Sequence, residues 1–126
     1  MTNIKDLDPF IEAAITALVD KKALNVMLLD VTGLSTITDH LIIAEGFVDR
    51  HAMALAQAVE TVLKPMGKPV YKMEGMHSGE WVVIDYFNFM IHVFAPGYRD
   101  RYELEKLWPE AKLIEISELT NSPSEV

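Results

Sequence analysis

The stretch Trp81-Val82-Val83-Ile84-Asp85-Tyr86-Phe87-Asn88-Phe89-Met90-Ile91-His92-Val93-Phe94 decides the fold. Two runs rich in β-branched and aromatic residues, Trp81 to Tyr86 and Phe89 to Phe94, are separated by Phe87-Asn88 alone, so they read as a β-hairpin. Strand geometry sends alternate side chains to opposite faces: Trp81, Val83 and Asp85 share one side, and Val82, Ile84 and Tyr86 the other. Just upstream, Val70 to Glu74 is another short extended run, joined through a connection marked by Gly75 and Gly79. The three strands pair antiparallel as a meander.

Working outward, Ala52, Ala56, Val59 and Leu63, joined by Met53, Leu55 and Val62, give a helix its buried face. Asp49 stands where the cap belongs, and Lys64-Pro65-Met66-Gly67 stops the helix. Before it lie two more strands. Val26 to Val31 is a continuous apolar run ended near Gly33, which suits a strand covered on both faces, and His40 to Glu45 is the β-branched run ended by Gly46. A first helix over about residues 8 to 22 is predicted from the spacing of Phe10, Ile11, Ala14, Ile15, Leu18 and Val19, with Asp8 as cap and Pro9 in the first turn. After the break at Pro96-Gly97, Tyr98, Tyr102, Leu104, Leu107 and Trp108 recur at helical spacing until Pro109. The order is α-β-β-α-β-β-β-α, an α/β (α+β) arrangement with a mixed five-stranded sheet covered by helices.

At 126 residues the chain is the size of one domain, assigned to residues 1–116, with a Ser, Thr, Pro and Glu-bearing tail over residues 117–126 expected to be mobile and to pack on nothing. Half of the residues are apolar, and a unit of this size buries roughly two thirds of its unfolded surface, so it needs no staple. There is no cysteine, which removes disulfides, thiolate metal sites and thiol nucleophiles and fits a reducing cytoplasm. No apolar run approaches the roughly 20 residues of a membrane span. Eleven Lys and Arg against nineteen Asp and Glu give a net charge of −8, and no segment gathers a basic stripe. Direct nucleic-acid binding is therefore disfavoured, and a basic protein partner is easier to reconcile.

No motif announces catalysis. Gly33-Leu34-Ser35-Thr36-Ile37 lacks the second glycine of a nucleophile elbow, and the glycines fit no phosphate-binding pattern. His40, His51, His77 and His92 have no metal-ligand spacing and read as packing or surface residues. A metal-dependent phosphoryl transferase needs two carboxylates on one strand face, two residues apart, and Asp30, Asp39 and Asp85 each lack that companion. The missing pair argues against an enzyme. What remains is a set of large rings on the meander and beyond it, and two readings of Trp81 stand. On a helix-free face it is an apolar anchor with Asp85 as charge complement; otherwise it is core.

Read together, Leu29-Asp30-Val31-x-Gly33-Leu34-Ser35-x-Ile37-Thr38-Asp39, Arg50-His51, Glu74-Gly75, Trp81 to Tyr86, His92-Val93-Phe94 and Tyr102-Glu103-Leu104-Glu105-Lys106-Leu107-Trp108 resemble the ribosomal silencing factor family, also called RsfS or Iojap. The resemblance implies a fold similar to nucleotidyltransferases without their catalytic acids. It implies a non-enzymatic factor, needing no cofactor, that docks on the fourteenth protein of the large ribosomal subunit. There it blocks the joining of the small subunit and lowers translation when nutrients are scarce. Self-association as a homodimer is also implied. By position, Trp81, Asp85, Tyr86, His92 and Glu105 carry over as partner contacts, and Trp108 matches the last-helix motif. Asp30, Asp39 and Arg50 match too, in turn, capping or pairing roles.

Two departures from the family pattern stand out: Phe47-Val48-Asp49 replaces a small polar segment, and Phe87 occupies a hairpin position where glycine is common. Two rival functions are a small nucleotidyl or phosphoryl transferase-like enzyme with an unconventional site, and a general adaptor for another basic protein. Nucleotide and Mg²⁺ calorimetry separates the first, and copurification the second.

Overall fold

Asp8 and Pro9 start the first helix as the sequence predicts. The Asp8 carboxylate accepts the Phe10 amide at 2.7 Å, and Pro9 takes the first position of α1 (Pro9–Asp20). The structure is a computed structural model and describes residues 7–120, apart from the side chains of Tyr102, Glu105, Glu118 and Thr120. After α1 come β1 (Leu24–Asp30), β2 (His40–Glu45), α2 (Asp49–Leu63), β3 (Lys72–Glu74), β4 (Trp81–Asp85) and β5 (Phe89–Phe94). The last described elements are α3 (Tyr98–Tyr102), a 3₁₀ turn (Leu104–Leu107), β6 (Lys112–Ile114) and α4 (Ser117–Thr120).

The strands form one mixed sheet in the order β3-β4-β5-β2-β1-β6, with β2 and β5 parallel and every other pairing antiparallel. Parallel neighbours need a crossover, and α2 supplies it, lying with α1 on one face of the sheet. That face receives Leu28, Ile42, Val82, Ile84, Ile91 and Val93 from the strands, and Ile11, Ile15 and Leu18 from α1. All nine are at most 1% exposed, and at roughly 2 kcal/mol per buried aliphatic side chain this layer is the main source of stability.

The structure corrects the sequence reading at its ends. The sheet has six strands among the described residues, not five, because Lys112, Leu113 and Ile114 pair with Asp30, Leu29 and Leu28. The predicted last helix is broken at Glu103, whose φ of 46° is left-handed, and resumes only as a 3₁₀ turn. Asp49 is not the cap of α2: it lies in the first turn and accepts the amide of Arg50 at 2.7 Å, with Val48 at the cap position. The expected tail packs after all at its start, since Ser117–Thr120 forms α4 and Leu119 lies against the helix-side core. Residues 121–126 of that expectation lie outside the described residues.

Phe87 accommodates the two-residue turn by adopting a φ of 72°, held there by the Asp85 carboxylate, which accepts the Phe87 amide at 2.8 Å. Its ring is 62% exposed and leans on Tyr71 with centroids 3.9 Å apart. Phe47, the other departure, is 57% exposed and stacks on His51 at 5.1 Å. His51 accepts the Phe47 amide at 2.9 Å through Nδ1, and its Nε2 lies 2.7 Å from the Lys21 carbonyl oxygen, tying the entry of α2 to the end of α1.

Candidate functional site

Register decides which side chains share the face opposite α1 and α2. Cross-strand partners point the same way, so Trp81 stands with Phe94, Val83 with His92 and Ile43, and Asp85 with Met90, Leu41 and Lys72. This face does not meet the helix-free condition on which one of the two readings of Trp81 rests. The segment from α3 to Ala111 lies over it, and Leu104, Tyr98 and Trp108 join Leu29, Val31, Leu41, Ile43 and Phe94 in a second apolar cluster. Toward β3 and β4 the cover thins: Trp81, Val83, Asp85 and Met90 are all half-buried.

An ion pair fastens that cover. Arg99 is 9% exposed, and its Nη1 reaches Glu45 Oε2 at 2.9 Å and the Asn25 carbonyl oxygen at 2.6 Å. Asn25 in turn donates to Glu45 Oε2 at 2.9 Å from a backbone with φ of 50°, at the bulge where β1 shifts register. Nothing in the sequence reading singled out Arg99. The signal available was an arginine set among rings immediately after Pro96-Gly97, a position where a long cation can reach back over apolar strands.

Trp81 lies between core and surface, half-buried at the edge of the second cluster. One side of the indole packs on Phe94, at 5.2 Å between centroids, and belongs to the second cluster. The indole nitrogen donates to His92 Nδ1 at 2.9 Å, with the two rings 5.9 Å apart. His92 is 7% exposed, and burial pushes its pKa down to about 4. Gly75, with φ of 85°, lies so close behind Trp81 that a Cβ there would run into the Trp81 carbonyl oxygen.

The remaining expected contacts separate. Asp85 sits on Trp81's face but four residues along the strand, roughly 13 Å away, so the two mark the ends of a patch, not one spot. Tyr86 turns to the other side, as period 2 requires. It is 1% exposed, stacked on Phe89 at 5.0 Å in the helix-side core, so it drops out as a surface contact. Its hydroxyl finds no hydrogen-bond partner among the described residues, and burial, with Glu60 nearby, pushes its pKa up to about 12. Glu105 lies in the 3₁₀ turn, and its side chain is outside the described residues.

The other motif residues keep local roles. Asp30 accepts the Thr32 amide at 2.9 Å; burial works to raise its pKa, but the Thr32 hydrogen bonds, with His40 and Lys112 nearby, hold it below the usual value. The Asp39 backbone links β1 to the β4–β5 turn, accepting from Val31 and donating to Asn88, and Arg50 is exposed on the first turn of α2. Among the described residues no three His, Asp or Glu side chains gather where they could hold a metal ion, and no helix is long and apolar enough to cross a membrane. A half-open strand face with an exposed apolar edge and mixed charges suits binding to a macromolecule better than enclosing a small substrate.

The chain is similar to a family of known proteins and to solved structures. The family model described as "Ribosomal silencing factor during starvation" matches residues 5–125. A Bacillus subtilis protein named ribosomal silencing factor RsfS is 34% identical over 106 residues, covering 84% of this chain and 90% of that one. A crystal structure of a Chromobacterium violaceum protein superposes with a TM-score of 0.77 at 36% identity, covering 85% of this chain and 87% of the other. A more distant mouse protein, named mitochondrial assembly of ribosomal large subunit protein 1, is 30% identical over 101 residues, which are 78% of this chain and 44% of the mouse protein.

Proposed function

The chain belongs to the ribosomal silencing factor family, a regulatory family and not one of enzymes, and from that membership we propose that it docks through the half-open part of its strand face on the large ribosomal subunit. The partner is a basic protein there, the fourteenth in the standard naming, at the surface where the small subunit joins. Occupying that surface keeps the two subunits apart and lowers translation when nutrients are scarce. The mouse relative's name supports a large-subunit association, and a net charge of −8 favours approach to a basic surface.

The observation that carries this reading is Trp81: a half-buried indole, packed on Phe94 and tied to His92, at the thin end of the cover over the strand face. An aromatic already held in place by its own fold loses little freedom when a partner buries the remainder. Asp85, at the far end of the patch, supplies a carboxylate for a partner Lys or Arg. Losing an aromatic anchor costs roughly 2 kcal/mol or more, which weakens binding by more than about tenfold. Trp81→Ala should therefore leave the protein folded but release it from purified large subunits in cosedimentation, and should restore joining of the small subunit in its presence. Undiminished cosedimentation of that variant rules the docking face out.

A further inference from the structure

The geometry points to His92 as the positioning residue of the docking face: it touches no partner itself, and it fixes the rotation of the Trp81 indole so that one edge of the ring faces outward. The inference rests on the docking reading above and adds how its anchor is kept ready.

An indole N–H can only donate, so the imidazole nitrogen that receives it, Nδ1 at 2.9 Å, carries no proton. The indole thereby selects one form of His92, neutral and protonated on Nε2. Burial favours that form, holding the pKa near 4, so the lone pair is in place at neutral pH. Position favours it as well. His92 stands on β5 opposite Val83 and beside Ile43 on β2, so its ring is fixed between two strands of the sheet. At 7% exposure it has almost no surface to offer a partner. Phe94 supports the plane of the indole, at 5.2 Å between centroids, and the hydrogen bond to His92 sets the direction in which its N–H points. A half-buried indole nitrogen without an acceptor would also seek another orientation, because an unmade buried hydrogen bond is costly.

In the wild-type protein, a scalar coupling through the hydrogen bond between Trp81 Nε1 and His92 Nδ1 should be seen by nitrogen NMR, with the Trp108 indole as internal reference. Its absence overturns the assignment. His92→Leu keeps apolar volume but removes the acceptor, and should shift the Trp81 indole signal and weaken large-subunit binding about tenfold, the usual effect of one lost buried hydrogen bond. His92→Asn places an acceptor near the same point and should restore most of the affinity. In a Trp81→Phe background, which has no indole N–H, His92→Leu should cost nothing further. Equal losses from His92→Leu in both backgrounds would mean that His92 serves the fold in general and overturns the inference. If Trp81→Ala binds as well as wild type, the docking reading fails instead, and the coupling and the indole shift still decide whether His92 holds the ring.

Discussion

Arg99 and Glu45 meet at 2.9 Å with side chains only 11% and 21% exposed, and through this pair the C-terminal segment is fastened to the end of β2. The cover over the second apolar cluster therefore depends on a charge that has been taken out of water. Breaking such a pair leaves the partner charge buried and uncompensated, at about 3 kcal/mol or more.

Arg99→Ala should lower unfolding stability by about 3 kcal/mol in urea titration and increase binding of an apolar dye as Leu29, Leu41 and Ile43 lose their cover. Arg99→Lys should recover only part of the loss. A single ammonium cannot reproduce the guanidinium's reach to Glu45, the Asn25 carbonyl and Met27 together. A melting curve for Arg99→Ala that overlays the wild type would show the cover to be held by apolar packing alone.

Tyr86→Phe should stabilise the protein by up to about 1 kcal/mol, because it removes a buried hydroxyl with no partner among the described residues and keeps the ring on Phe89. The effect grows at high pH. Tyr86 has its folded pKa raised from 10.0 to about 12, so the folded state holds the proton more tightly. Its contribution is complete below pH 10 and is lost as pH rises from 10 toward 12. The phenylalanine variant lacks that loss, and the gap between the two stability curves should widen by roughly 2 kcal/mol over the interval.

His92 gives the opposite dependence. Its folded pKa is depressed from 6.5 to about 4, so the unfolded state takes up the proton first. The stability it confers is complete above pH 6.5 and falls as pH drops toward 4, by about 3 kcal/mol in all. Comparing wild type with His92→Asn between these limits isolates the slope. Parallel curves would show that the imidazole is not kept neutral.

The hairpin and the two long helices were legible because each carries its own period. Val82, Ile84 and Tyr86 alternate inward, and Ala52, Ala56, Val59 and Leu63 recur on one side of α2. The placing of His92 on Trp81's face was also within reach, since counting back from the Tyr86–Phe89 turn sets His92 opposite Val83. What could not be read was whatever depends on contacts made far along the chain. β6 has only three residues and Leu113 is 67% exposed, so its strand character comes entirely from pairing with β1. The break at Glu103 defeats a helical spacing that looks continuous through Trp108, because Leu104 and Trp108 turn down onto the strand face. The cover that half-hides Trp81 follows from that break, which is why the sequence left the residue's two readings open.

Gly75 links the fold to the proposed docking face most directly. Its φ of 85° is one that side chains resist, and a Cβ at this position meets the Trp81 carbonyl oxygen and the start of β4, which are backbone atoms that cannot swing aside. Gly75→Ala therefore has to push β4 away from the β3–β4 connection or change the local turn, and either costs stability, about 2 kcal/mol by the usual scale of backbone strain. The displacement falls on the residue that carries Trp81. Large-subunit binding should weaken by more than the stability loss predicts, and the Trp81 indole resonance should move while that of Trp108 stays in place. A variant that is destabilised but binds normally once folded would show that the strand end tolerates the shift and that Gly75 serves only the turn.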